Sequence, residues 1–185
     1  MKKIAIFASG AGTNARAIIE GFKGTDIEVV LIVSDKEDSK VLDIANEFEI
    51  DSVLITAYDL KDEKFMNGLL ERYNLDLIVL AGFMRIIPEY LIEKFPKKIL
   101  NIHPSNNKED NGKTIKTIPI NVIKEKRNKH GVKVHYVVEA VDEGDTFDFE
   151  EFDVDEKWDE ATLREVIRKT EHLLYKRAID KFFNR

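Results

Sequence analysis

Two polar side chains at the end of a predicted strand are the residues of this sequence best suited to chemistry. Asn101 and His103 follow the apolar residues Ile99 and Leu100. Side chains two residues apart on a strand point the same way. A carboxamide donates hydrogen bonds to a developing oxyanion, and an imidazole donates a charge-assisted bond or moves a proton. The spacing therefore predicts a catalytic pair, although a strand end with both side chains bonded to the backbone fits the same pattern.

A carboxylate from a second segment can complete this pair. Asp142 opens the turn Asp-Glu-Gly-Asp, which follows another predicted strand. A carboxylate beside an imidazole raises the pKa of the ring and fixes its tautomer. Because Asp-x-Gly is common in ordinary turns, Asp142 acquires a catalytic role only if it meets His103 in space. We interpret His130 as a loop histidine and His135 as a strand histidine.

A glycine-rich turn between the first predicted strand and the first predicted helix is a candidate anion site. Residues 10–14 of this turn read Gly-Ala-Gly-Thr-Asn. Backbone N–H groups in such a turn, together with a helix N-terminus, bind phosphate. The turn lacks the P-loop lysine and the third glycine of a dinucleotide fingerprint. It indicates an anion rather than a particular nucleotide, and a plain turn capped by Thr13 or Asn14 fits equally well.

These residues must be positioned by the alternating strands and helices of the sequence. Strands are predicted at residues 3–8, 27–34, 51–55, 75–81 and 99–103, with helices between them, one of which covers about residues 61–73. The alternation predicts an α/β fold with a mainly parallel, twisted sheet and helices on both faces. Two later strands, residues 132–138 and 146–154, surround a turn and predict antiparallel pairing, and a long helix is expected at 159–182. We expect one domain, residues 1–185, since no linker or repeat interrupts it.

Two segments depart from this regular pattern. Residues 106–116 are polar and contain no aromatic residue, and they predict an irregular, mobile loop. Glu171 and His172 interrupt the apolar positions of the last helix. The simpler interpretation is that both residues lie on a solvated turn of the helix. The more specific interpretation is that they contact a ligand.

Composition limits the classes of function. The 185 residues are 43% hydrophobic, enough for a sizeable core. A net charge of −6 and the absence of a long basic block argue against a nucleic-acid partner. The lack of cysteine excludes disulfides, thiolate zinc sites and cysteine nucleophiles, and we expect no metal. The apolar run at the N-terminus is too short for the hydrophobic region of a signal peptide. No stretch has the ~20 apolar residues that span a bilayer. We therefore expect a soluble, cytoplasmic protein without membrane contact.

Six motifs in the same order resemble those of the phosphoribosylglycinamide formyltransferase family. They are residues 9–14, 80–86, 101–105, 130–137, Asp142 and residues 170–172. The resemblance covers nearly the whole chain and implies the α/β fold described above. It also implies transfer of a formyl group from 10-formyltetrahydrofolate to the amine of glycinamide ribonucleotide, in de novo purine biosynthesis, by a monomer or homodimer.

The resemblance implies roles for individual residues. The implied catalytic residues are Asn101, His103 and Asp142. The implied contacts with the ribonucleotide come from Gly12, Thr13, Asn14, Glu171 and, where the alignment is loose, Lys61. The reduced folate is implied to lie against Met84, Arg85, Ile86, Ile87, Val138, Glu139, Ala140 and Val141. A phosphate-binding part thus covers about residues 1–100, and a catalytic and folate-binding part covers about residues 101–185.

Departures from the family pattern leave two alternatives open. Residues 106–112 read Asn-Asn-Lys-Glu-Asp-Asn-Gly where the family usually has apolar Leu-Leu-Pro before the glycine, and Asp145 stands at a usual proline. One alternative is a related formyltransferase acting on another amine, such as a nucleotide sugar or methionyl-tRNA. The other is a ribonucleotide-binding homologue with a weakened folate site. The acidic charge disfavours tRNA, and the Gly-Thr-Asn turn with Glu171 favours the ribonucleotide.

Overall fold

The computed structural model describes residues 1–184. These residues fold around one seven-stranded sheet. The strands are β1 (Lys2–Phe7), β2 (Ile27–Ser34), β3 (Asp51–Leu54), β4 (Leu77–Leu80), β5 (Ile99–His103), β6 (Lys129–Tyr136) and β7 (Thr146–Asp153). Their order across the sheet is β3-β2-β1-β4-β5-β6-β7. The first five strands are parallel, and β6 is antiparallel to both β5 and β7. The predicted mainly parallel sheet with antiparallel C-terminal strands is confirmed.

Helices connect the strands and cover both faces of the sheet. They are α1 (Thr13–Phe22), α2 (Lys40–Glu47), α3 (Ala57–Lys61), α4 (Glu63–Glu71), α5 (Glu89–Lys94), α6 (Ile118–Lys124) and α7 (Glu160–Phe183), with a 3-10 turn at Lys108–Asp110. Strand β1 shows why two cores form, because Ile4 and Ile6 join one cluster while Ala5 and Phe7 join the other. The first cluster includes apolar residues of α1, α2, α6 and α7, and the second includes those of α3, α4 and α5.

The single helix predicted at residues 61–73 is wrong in its first part. Thr56 caps α3, where its hydroxyl accepts from the Asp59 N–H at 3.1 Å. Asp62 then adopts an extended conformation and caps α4 by accepting from the Phe65 N–H at 3.0 Å. Each cap satisfies donors that a helix start leaves free, so the segment forms two helices. Helix α6 was not predicted.

The topology creates a crevice beside β1. From β1 the chain continues to β2 and β3 on one side, and later returns to β4 and β5 on the other. In open α/β sheets, ligands bind where the strand order reverses, beyond the carboxyl ends of the strands. The turn after β1 and the ends of β4 and β5 therefore meet at the position expected for a ligand.

Candidate active site

A cavity of about 540 Å³ lies at this edge of the sheet. Its walls include the turn at residues 10–14, the segment 80–87 and the strand end at 101–104. The opposite wall comes from residues 112–116 and from the segment after β6, and α7 contributes Arg168 and Glu171. Segments that are far apart in the sequence thus share one cavity, and each of them except residues 112–116 contains a residue predicted to be functional.

Asp142 meets both polar residues of β5. Its Oδ2 lies 3.2 Å from His103 Nδ1, and its Oδ1 accepts from Asn101 Nδ2 at 3.2 Å. The His103 and Asp142 side chains are buried, with 4% and 8% of their surfaces exposed. The condition that the sequence set for a catalytic role of Asp142 is therefore met.

The backbone around Asp142 is built to aim its carboxylate. Asp142 has a φ of 58°, in the left-handed region that non-glycine residues rarely adopt. The Gly112 N–H donates to Asp142 Oδ2 at 2.9 Å. A Cβ on Gly144 would lie 1.8 Å from the Tyr136 carbonyl oxygen, so the turn after Asp142 closes only with glycine. The carboxylate is held by the fold rather than by its side-chain rotamer alone.

The electrostatics keep Asp142 ionised. Burial alone would raise the pKa of Asp142, but hydrogen bonding to His135 and the charge of His103 outweigh it and lower this pKa to about 2. Burial lowers the pKa of His103, while the Asp142 carboxylate acts in the opposite direction. The second ring nitrogen of His103, Nε2, lies 3.0 Å from the Asp110 carbonyl oxygen. Both nitrogens face acceptors, so the protonated ring would be fully hydrogen-bonded, although burial favours the neutral ring.

The turn after β1 has the geometry of an anion site. Gly12 is the N-cap of α1 with a φ of 70°, and no side chain caps this helix. A Cβ on Gly12 would lie 2.6 Å from Ile44 Cδ1, so this position requires glycine. The N–H groups of Thr13 and Asn14 at the start of α1 are thus not taken by a side-chain cap, and the interpretation of a plain capped turn is wrong.

Glu171 reaches this turn from α7. Its Oε2 accepts from Asn14 Nδ2 at 3.0 Å, and it is 8% exposed. Burial raises the pKa of Glu171 to about 7, although the Asn14 hydrogen bond and the charge of Arg168 oppose the shift. Asn14 Oδ1 is buried without a hydrogen-bond partner among the described residues. The interpretation of Glu171 as a solvated helix residue is therefore wrong.

Apolar side chains surround the other end of the cavity. Met84, Ile86, Val138 and Val141 line it and are exposed. Exposed apolar groups that converge on one concave surface mark a ligand site. Arg85 also lines this wall, but its Nε donates to Asp35 Oδ2 at 2.6 Å.

The remaining predicted residues divide into those at the cavity and those away from it. Ile87 and Glu139 line the cavity. Ala140, the remaining residue of that segment, does not line it. Lys61, assigned to the substrate on a loose alignment, also lies away from the cavity, as the exposed last residue of α3.

Some residues at the site were missed by sequence reasoning. His135 Nε2 lies 3.3 Å from Asp142 Oδ1 and 3.1 Å from Asn101 Nδ2, so it is more than a strand histidine. The signal available for His135 was its position two residues after another polar residue, Lys133, on a strand that pairs with β5. Arg168 lines the cavity three residues before Glu171, and helical spacing could have indicated that both lie on one face.

The segment 106–116 is an irregular loop, as its composition predicts, and buried polar contacts fasten it. It contains the 3-10 turn Lys108–Asp110. The Asp110 carboxylate is fully buried and accepts from Ser105 Oγ at 2.8 Å, Arg127 Nη1 at 2.7 Å and Lys113 Nζ at 3.2 Å. These bonds hold the segment against the strand end, where the Asp110 carbonyl and the Gly112 N–H reach the catalytic residues.

Neither a metal-binding cluster nor a membrane-spanning helix is present within residues 1–184. No group of three or more His, Cys, Asp or Glu residues there is arranged to hold a metal ion. None of the helices in that range combines the length and the apolar character needed to cross a bilayer.

Comparisons with known proteins identify relatives across the length of the chain. The sequence profile of the family described as "Formyl transferase" matches residues 2–179. Phosphoribosylglycinamide formyltransferase of Bacillus subtilis is 34% identical over 97% of this chain and 93% of its own. The trifunctional purine biosynthetic protein adenosine-3 of Chironomus tentans is 30% identical over 96% of this chain, which spans only 13% of that larger protein. The crystal structure of phosphoribosylglycinamide formyltransferase from Bacillus halodurans superimposes with a TM-score of 0.88 at 31% identity, covering 100% of this chain and 96% of that one.

Proposed function

Since this chain belongs to the formyl transferase family, we propose that it transfers a formyl group from 10-formyltetrahydrofolate to the primary amine of glycinamide ribonucleotide, a step of purine biosynthesis. The observation that carries the proposal is the convergence of Asn101, His103 and Asp142 at one cavity. Relatives named for this activity align over nearly the full chain.

The ribonucleotide is proposed to bind at the N-terminal part, residues 1–100, with help from α7. The N–H groups of Gly12, Thr13 and Asn14, reinforced by the dipole of α1, take the phosphate. Glu171, already bonded to Asn14, accepts hydrogen bonds from the ribose or the glycinamide end. The positive charge of Arg168, also at the cavity, favours the anionic ligand.

The folate is proposed to bind between the segments 84–87 and 138–141. Exposed Met84 and Ile86 on one side, and Val138 and Val141 on the other, suit a flat heterocycle that needs apolar contact on its faces. Arg85 is held by Asp35, so this segment offers the ligand its backbone groups. When bound, 10-formyltetrahydrofolate supplies the carbon that is transferred.

Catalysis is proposed to rest on the residues that surround Asp142. Asn101 donates to the formyl oxygen as negative charge develops, in exchange for its 3.2 Å bond to Asp142. As the amine nitrogen bonds to the formyl carbon, the neutral His103 ring accepts the proton that the amine loses, directly or through a water molecule. Nε2 takes this proton in exchange for its 3.0 Å contact with the Asp110 carbonyl. The resulting imidazolium is stabilised at Nδ1 by the Asp142 carboxylate. The proton is returned to the folate nitrogen as its bond to the formyl carbon breaks and tetrahydrofolate leaves.

The atypical residues 106–112 do not favour the alternative of a weakened site. They lie over the catalytic residues and bond to both His103 and Asp142. Such a cover helps to exclude water, which would otherwise hydrolyse the formyl donor. No relative reported above is named for a nucleotide sugar or a tRNA substrate.

A formyl-transfer assay with glycinamide ribonucleotide and 10-formyltetrahydrofolate tests the proposal. The native protein is expected to turn over, and His103→Ala is expected to lose at least about 100-fold in kcat. Circular dichroism and thermal unfolding of both proteins control for folding. A folded native protein without turnover, or a His103→Ala variant with native kcat, would overturn the proposal.

A further inference from the structure

One buried cation beside the catalytic residues has no part in the mechanism above. Lys133 lies on β6 directly opposite His103 in the antiparallel register, just as His135 lies opposite Asn101. Lys133 is only 6% exposed. Lysine is rarely buried to this extent, because removing an ammonium group from water is costly. Its position therefore calls for specific contacts that compensate the cost.

Two oxygen atoms from different loops receive the Lys133 ammonium group. Nζ donates to the Asp142 carbonyl oxygen at 2.8 Å and to Asn111 Oδ1 at 3.2 Å. Both acceptors are neutral. Lys133 thus connects two loops through hydrogen bonds to neutral oxygen atoms rather than through an ion pair with a carboxylate.

The two loops joined by Lys133 are those that set the geometry of the catalytic carboxylate. Asp142 has its unusual left-handed backbone, and its own carbonyl is the group that Lys133 holds. Asn111 precedes Gly112, whose N–H donates to Asp142 Oδ2 at 2.9 Å. A non-glycine residue in the left-handed region raises the free energy of the folded state, and it persists only where its surroundings hold it there. The hydrogen bonds of Lys133 supply that constraint. One holds the Asp142 carbonyl, and the other holds Asn111, the neighbour of the Gly112 amide that donates to the carboxylate.

We propose that Lys133 is a positioning residue of the formyl-transfer site, which holds the turn at Asp142 against Asn111 so that the carboxylate stays aimed at His103. Its catalytic consequence rests on the proposed function, whereas the structural tie between the two loops does not. The family pattern described above assigns no role to this position.

The charge of Lys133 has a second consequence for His103. Burial lowers the pKa of His103 most, Lys133 and His135 lower it further, and Asp142 raises it. Lys133 itself has a lowered pKa because of burial; Lys108 acts in the same direction, and Asp142 and Glu143 oppose it. Removing the Lys133 charge by itself raises the pKa of His103, whereas an Asp142 carboxylate that moves away from the ring lowers it. Because the two effects oppose each other, the positioning role is tested by the kcat and KM values and by the Gly112 amide.

Lys133→Met tests the proposal, because methionine keeps most of the apolar stem and removes the ammonium group. The matched control is Lys129→Met, four residues earlier on the same strand, where the lysine is exposed and pairs with Glu151. We expect Lys133→Met to lower kcat about 10- to 100-fold, with little change in the KM for the ribonucleotide. Lys133→Arg, which keeps the charge and the N–H donors, is expected to recover part of that kcat. Lys129→Met is expected to behave as the native protein.

Amide exchange measured by NMR on the full chain separates this inference from the proposed reaction. In Lys133→Met, the Gly112 amide, which donates to Asp142 Oδ2, is expected to exchange faster with solvent, and no change is expected in Lys129→Met. Faster exchange supports the positioning role even if no protein turns over, in which case only the proposed reaction fails. Native kcat in Lys133→Met, or an unchanged Gly112 exchange rate, would overturn the inference.

Discussion

Replacing Glu171 by glutamine is expected to stabilise the protein at neutral pH and to weaken its binding of the ribonucleotide. Glu171 is buried beside Asn14, whose Nδ2 donates to it at 3.0 Å. The other atom of that amide, Asn14 Oδ1, is buried without a partner within the described chain. Burial raises the pKa of Glu171 to about 7. An ionised carboxylate at this position therefore lowers the stability of the fold.

The size of this effect follows from the shift in the pKa of Glu171, from 4.5 to about 7. Each unit corresponds to about 1.4 kcal/mol, so 7 − 4.5 = 2.5 units gives about 3 kcal/mol. For a carboxyl whose pKa is raised by folding, the folded state holds the proton more tightly. Its stability is therefore highest below pH 4.5, falls as the pH rises towards 7, and is then constant.

Glutamine removes the cause of this loss while keeping the shape of the side chain. Its carbonyl can still accept from Asn14 Nδ2, and its amide N–H can donate to the unpaired Asn14 Oδ1. The free energy of unfolding of Glu171→Gln, minus that of the native protein, is thus expected to increase by about 3 kcal/mol between pH 4.5 and pH 8.

Urea unfolding at several pH values in that interval measures this difference. Glu93→Gln, which replaces an exposed glutamate of α5, controls for the loss of one surface charge. A difference between Glu171→Gln and the native protein that stays constant with pH would refute the reasoning. The same variant is expected to bind the ribonucleotide about 10-fold more weakly, because a neutral amide is a weaker acceptor than a carboxylate. Isothermal titration at pH 8 measures that loss.

Three further substitutions test other parts of the site. Asp142→Asn is expected to lower kcat about 100-fold or more with little change in ribonucleotide affinity; steady-state kinetics beside calorimetry check this, and equal losses would contradict a catalytic role. Gly144→Ala is expected to cost about 2 kcal/mol in urea unfolding, because its Cβ would overlap the Tyr136 carbonyl; native stability would contradict the turn geometry. Asp110→Asn is expected to cost about 2 kcal/mol, since it removes the buried one of the two carboxylates that pair with Arg127; here an unchanged urea midpoint would count against the buried network.

The fold could be predicted from the sequence because its signals are local and repeated. Apolar runs such as residues 77–80 alternate with helical patterns, and that alternation is enough to specify a parallel sheet. The meeting of Asp142 with His103 could be predicted only as a condition, since 39 positions separate them and Asp-x-Gly turns are common. The pairing of β5 with β6 brings the two residues together.

The errors share a physical cause, which is that a polar residue has the same sequence signal whether it is solvated or buried with partners. Asp62 was read as a helix residue, yet it caps α4. Lys133 is predicted only as part of a strand, and the helical pattern alone favours a solvated Glu171, whose contact with the ribonucleotide is implied by the family resemblance. Their burial depends on contacts with distant loops, such as that of Lys133 with Asn111, and no local period encodes those contacts.

The polar segment 106–112 illustrates how such burial can preserve a function that composition suggests is lost. Polar groups that replace an apolar cover destabilise it unless each one finds a partner. Asp110 finds three donors, and Arg127 anchors it from outside the segment. With the side chain so fixed, the Asp110 carbonyl is free to face His103, and the following Gly112 amide faces Asp142. The segment is therefore fastened by charge, and its cover over the proposed reaction depends on the ionisation of Asp110.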